Sequence, residues 1–160
     1  MERYFLVDYE RVKDQPENGL GGIEMLTEKD TVFILFKNEN ISISFLAMKK
    51  LIASKAKIIQ KVMPEDNDQA VENVLCYLIG KYYQREGSVF LITDDRHCFE
   101  LLQTFTADDD APADVSAFLT IQSAQESAKI VLKDDAPEQA DKKEPEDQSE
   151  NWEENNNDES

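Results

Sequence analysis

Short apolar runs alternate with helix-like stretches along this chain, and that alternation constrains it more than any other feature. Tyr4-Phe5-Leu6-Val7 runs into Asp8, and Val89-Phe90-Leu91-Ile92 runs into Thr93-Asp94-Asp95. Such an order predicts an α/β fold with an open, mostly parallel sheet. In sheets of that kind ligands sit beyond the carboxyl ends of the strands, where the strand order reverses. Two strands that deliver acids to that edge suggest a divalent-cation site, because hard cations take oxygen ligands.

The first strand is expected at about 3–8. A loop with Pro16, Gly19, Gly21 and Gly22 follows, then a short helix near Ile23–Leu26. Val32–Phe36, apolar at every position, reads as a strand covered on both faces. A helix over 43–54 follows, with Ser42 or Ser44 as its cap, and then a strand over Ala56–Met63. In the helix over 68–84, Val71, Val74, Leu75, Leu78, Ile79 and Tyr82 recur with helical spacing. A strand at 88–93, a helix at 95–105, a strand at Val115–Ile121 and a helix at Gln125–Lys133 complete the series. The expected architecture is a three-layer sandwich around a central, mostly parallel five-stranded sheet.

Charge divides the chain. Its formal net charge is −17, and residues 134–160 hold 12 acids against two bases, with Trp152 their only large apolar side chain. Too little apolar surface is present there to offset chain entropy, so a disordered acidic tail is expected beyond a folded domain of 1–133. Cys76 and Cys98 have no metal-site spacing; one should be a buried small residue, the other a free thiol, and Cys76 lies in the apolar stretch Val74–Ile79. Met1-Glu2-Arg3 leads directly into a strand, and no apolar run nears a membrane span, so a cytoplasmic protein without a leader is expected.

Asp8 and Asp95, at the ends of two strands, are the first candidates for chemistry. Glu10 is a second ligand or a solvated acid. Asp68, three residues before Val71, lies on the helix face turned towards the sheet. Each has a plain structural alternative: Asp8 caps a turn, Asp94 and Asp95 serve as helix N-terminal acids, and Asp68 is an N-cap. Here Asp95 is expected to face the site while its neighbour caps the helix. His97, the only histidine, has no partner pattern. Lys49, Lys50, Lys55 and Lys57 read as a solvated helix face or as a phosphate-contacting edge.

Several segments together resemble bacterial PIN-like domains. Phe5-Leu6-Val7-Asp8-Tyr9-Glu10-Arg11-Val12 is similar to their opening "LVDYENV", and Gly19-Leu20-Gly21-Gly22-Ile23 to their turn "GLNGI". Asp30-Thr31-Val32-Phe33-Ile34 resembles their second strand, and Phe36-Lys37-Asn38-Glu39-Asn40 resembles "YSEN". Ser54-Lys55-Ala56-Lys57-Ile58 matches "SKAKI". Aligned on Tyr77-Leu78-Ile79-Gly80, the acid of "ALDFQL" falls on Asp68, and Ile92-Thr93-Asp94-Asp95-Arg96 resembles "ISKDKG". The resemblance covers about residues 3–121. It implies a metal-dependent nuclease that cleaves RNA, single-stranded by preference. Asp8, Asp68 and Asp95 would be its catalytic acids and would hold Mg²⁺ or Mn²⁺, with Glu10 or Glu100 as a fourth ligand. Arg11, Thr93, Arg96 and Lys49 are the candidates for contact with the substrate.

Three departures stand beside it. The family's asparagine is Arg11, a fixed cation able to neutralise the acids. "ALDFQL" is reduced to Asn67-Asp68-Gln69-Ala70-Val71, and "KG" is replaced by Arg96-His97. A second expectation, from another functional class, is therefore a catalytically weak or silent module that binds nucleic acid or protein, as a homo-oligomer or with a protein partner. A phosphoacceptor receiver domain would need a lysine after the last strand, where Thr120-Ile121-Gln122 stands.

Overall fold

A computed structural model of the chain describes residues 2–64, 66–83, 87–98, 100 and 113–134, with only the backbone at some positions, Asp68 among them. The elements run β1 (Glu2–Asp8), α1 (Tyr9–Val12), 3₁₀ turns at Pro16–Gly19 and Ile23–Met25, β2 (Asp30–Phe36), α2 (Phe45–Ala53), β3 (Lys57–Val62), α3 (Asp68–Tyr83), β4 (Gly87–Ile92), β5 (Ala113–Phe118) and α4 (Ile121–Asp134). The expected tail lies outside the described residues from 135 onward, as does Glu65.

All four strand pairings are parallel, and the order is β3-β2-β1-β4-β5. The chain builds outward from β1 through β2 to β3, then returns to place β4 on the other side of β1. The strand order thus reverses between β1 and β4. This α/β fold is the one the alternating pattern predicts, with the sheet parallel throughout.

Strand geometry sends alternate side chains to opposite faces, and the core divides accordingly. Phe5, Val7, Val32, Ile34, Phe36, Phe90 and Ile92 pack with Leu20, Ile23, Leu51, Ile121 and Ala124. Tyr4, Leu6, Phe33, Leu35, Val89 and Leu91 pack with Val71, Leu75, Leu78, Ile79 and Cys98. Leu6, Ile34, Leu91 and Ile92 are wholly buried, each worth about 1.5–3 kcal/mol of transfer free energy.

Several boundaries differ from the sequence reading. β2 begins at Asp30, because Arg3 on β1 clamps the Asp30 carboxylate with two 2.7 Å bonds and draws that residue into register. Of the two serines, Ser44 caps α2, accepting from the Ala47 N–H at 3.2 Å. Asn67, rather than Asp68, caps α3 through the Ala70 N–H. β5 ends at Phe118, and α4 starts at Ile121 instead of Gln125, with Thr120 rather than Ser123 at its head. Burial explains the shift: Ile121 is fully enclosed, whereas Leu119 is 44% exposed. The buried cysteine is Cys98, and Cys76 is exposed, on the outward side of α3.

Among the described residues no helix is long and apolar enough to cross a membrane. At Gly22 the fold depends on glycine. Its φ is +95°, and a Cβ there would stand 2.9 Å from the Gln122 Cα. That close approach lets the Gly21 carbonyl accept from the Gln122 N–H and the Gly22 carbonyl from Gln125 Nε2, fastening α4 to the loop after α1.

Candidate functional site

The ends of β1 and β4 flank the strand-order reversal, the position at which open α/β sheets bind ligands. Val7 pairs with Ile92, so Asp8 and Thr93 emerge side by side. The Thr93 N–H is held by the Phe118 carbonyl at 2.9 Å, and the Thr93 hydroxyl accepts from the Asp95 N–H at 3.1 Å. Asp95 in turn accepts the main-chain N–H groups of His97 and Cys98 on Oδ1, at 3.0 and 3.3 Å. It therefore caps the helical turn at 96–98 with one oxygen. Oδ2 turns towards Arg11 at 3.8 Å.

Asp8 stands at the N-cap position of α1 but makes no side-chain capping bond. The short α1 is anchored by buried Tyr9 and Val12, and the Tyr9 hydroxyl donates to the Ser42 carbonyl. From the opposite side α3 supplies Val71 and Glu72. Asp8, Glu10, Arg11, Val71, Glu72 and Asp95 line one small open cleft, with room for about a single water molecule.

Asp8 is 4% exposed. Burial raises its pKa from the usual 3.8 to about 6. The Arg11 guanidinium opposes that rise, while Asp95 and Asp94 add to it. A carboxyl that titrates near neutrality in a cleft is a mark of functional sites. Nearby, burial pushes the Cys98 thiol up to about 11, with Cys76, Asp95, Glu72 and Asp8 adding their charge. Cys98 thus stays a neutral thiol and packs among the core residues.

Arg11 completes the electrostatics. Its Nη1 lies 3.9 Å from Asp94 Oδ1, and its Nη2 3.8 Å from Asp95 Oδ2. Glu10 is paired instead with Lys13, at 2.8 Å.

The structure thus brings Asp8, Glu10, Arg11 and Asp95 together. Asp68 begins α3, and its side chain lies outside the described residues. Thr93 is buried, with its hydroxyl committed to the turn. Arg96, His97 and Lys49 are exposed and do not line the cleft, and Glu100 is exposed as well. The division of labour expected between Asp94 and Asp95 is not seen: Asp95 both caps and faces the cleft, and Asp94 is half-exposed at its rim. Sequence reasoning missed Glu72. It follows Asp68 by four residues, so it belongs to the same helix face, and that spacing was the available signal.

The donors are carboxylate oxygens, which suit a hard cation in kind. Among the described residues, however, no three acidic, histidine or cysteine side chains stand close enough to hold a metal ion as they are placed. The chain matches no protein-family model, no curated protein and no solved structure.

Proposed function

We propose that this is a PIN-like domain, with helices layered on both faces of its sheet, that hydrolyses RNA phosphodiester bonds with the help of Mg²⁺ or Mn²⁺. One observation carries the reading. A buried carboxyl, Asp8, shares a cleft with Asp95 and Glu72 at the strand-order reversal.

Asp8 and Asp95 would hold the cation, with Asp68 and Glu72 from α3 as further candidates and Glu10 at the rim. A divalent ion, if held there, would neutralise phosphate charge and supply a water of lowered pKa as nucleophile near neutral pH. The protein supplies the positioning. Thr93 fixes the turn that aims Asp95, and the capping bonds on Oδ1 leave Oδ2 for the cleft. Asp8 ends a strand paired on both sides, and Val71 adds one apolar group to the cleft wall. A cleft with room for about one water molecule is too small for a nucleotide, so RNA would lie across its mouth, towards Arg11 and exposed Arg96.

The test is a melting curve and a cleavage assay on the full chain. Millimolar Mn²⁺ or Mg²⁺ should raise the melting temperature, because a ligand that binds only the folded state stabilises it. Single-stranded RNA should be cut in Mn²⁺, with loss of cutting in Asp95→Asn and a smaller metal-induced shift in Glu72→Gln. No shift and no cleavage would overturn this reading. The ion pairs of Arg11 favour a second one, a silent module whose acids are already compensated. In that case RNA or protein binding would persist without metal.

A further inference from the structure

Arg11 sits where a cation is wanted. It lines the same cleft as Asp8, and its two terminal nitrogens reach Asp94 and Asp95, the two acids that follow β4. Five acids, Asp8, Glu10, Glu72, Asp94 and Asp95, surround or border this cleft, and like charges so placed repel one another. A guanidinium stays protonated at any working pH, so its charge is permanent. Its backbone cannot withdraw, since buried Tyr9 and Val12 flank it in α1. The side chain can, being 41% exposed.

We propose that Arg11 is a built-in counter-cation, which neutralises the cleft in the metal-free protein and competes with a divalent ion for the same carboxylates. The inference rests on the metal-site reading above and concerns how that site is regulated. Two features of the pairs make the competition winnable. Both are long, at 3.8 and 3.9 Å, and Asp94 and Arg11 are partly hydrated, so each pair is weak. A divalent ion brings twice the charge and can displace the guanidinium towards solvent. Once displaced, the planar fork is free to take a phosphate of the substrate in two-point contact. Arg11 thereby lowers resting metal affinity without removing a ligand.

The experiment titrates Mn²⁺ into the full-length chain and its Arg11→Gln and Arg11→Lys variants, reading affinity by calorimetry and metal-induced change in melting temperature. Removing two weak competing pairs should tighten Mn²⁺ roughly three- to thirtyfold in Arg11→Gln. Arg11→Lys keeps the charge but loses the fork, so it should fall between wild type and Arg11→Gln; it also carries the test if the glutamine variant fails to fold. Without metal, Arg11→Gln should melt below wild type, and Mn²⁺ should close that gap. Equal Mn²⁺ affinity in all three proteins would overturn the counter-cation role while leaving the metal site standing. Absence of binding in all three would instead overturn the metal site, and this inference with it.

Discussion

Replacing Asp8 by asparagine should stabilise the metal-free protein at neutral pH, an unusual outcome for a buried polar residue. The folded-state pKa of Asp8 is raised from 3.8 to about 6, chiefly by burial. Below pH 3.8 the carboxyl is protonated in both the folded and unfolded chain, and no penalty exists. Between 3.8 and about 6 the unfolded chain ionises first, so stability falls as pH rises. Above 6 the full penalty applies. A rise of about two pKa units corresponds to about 3 kcal/mol. Asparagine carries no charge at any pH, but its amide group needs a partner, which costs on the order of 1 kcal/mol. Asp8→Asn should therefore gain about 2 kcal/mol at pH 8 and lose about 0.5 kcal/mol at pH 4. The assay is urea unfolding followed by circular dichroism, with a chelator present. A difference between the two proteins that stays constant from pH 4 to 8, or an Asp8→Asn protein less stable at pH 8, would refute the argument that burial strains this acid.

Two further outcomes concern the scaffold. Asp30 is 1% exposed; burial would raise its pKa, but the Arg3 clamp and the Thr27 N–H outweigh burial and hold it below the usual range. Asp30→Asn should cost about 2–4 kcal/mol at pH 7, discounted because Arg3 can rehydrate. Since the folded-state pKa is depressed, this contribution is present above pH 3.8 and lost as pH falls through the folded value, so urea midpoints of the two proteins should converge in acid. Gly22→Ala should cost about 2–4 kcal/mol, from left-handed backbone strain plus displacement of the Gln122 main chain; a urea midpoint unchanged from wild type would mean that α4 is not fastened there.

How much of this was legible beforehand follows from which forces are local. Apolar runs and helical spacing are properties of neighbours in the chain, so the α/β class and the order of the five strands could be read directly. The carboxylates that end β1 and β4 could also be read, because a strand's end is marked where its apolar run stops. Boundaries failed where a distant partner decided them. Asp30 joins β2 because Arg3, on another strand, clamps it, and α4 starts early because Ile121 finds a place in the core. Which cysteine is buried could not be read: Cys76 sits in an apolar stretch, yet the sheet covers only one side of α3 and Cys76 lies on the other, while Cys98 is the buried one.

The site divides in the same way. Its acids, their spacing and the unusual Arg11 were written in the sequence, because chemical identity is local. Strand order was not, and it alone places Asp8 beside Asp95 at the reversal between β1 and β4. Nor was the packing of α3 that turns Glu72 into the cleft, the capping that lets one oxygen of Asp95 hold a turn while the other faces Arg11, or the burial that lifts Asp8 to near-neutral titration. Apart from the cap itself, which Asp95 makes to its own next turn, each depends on which surfaces meet across more than sixty residues of chain, and the energy that selects those meetings belongs to the packed core as a whole rather than to any one segment.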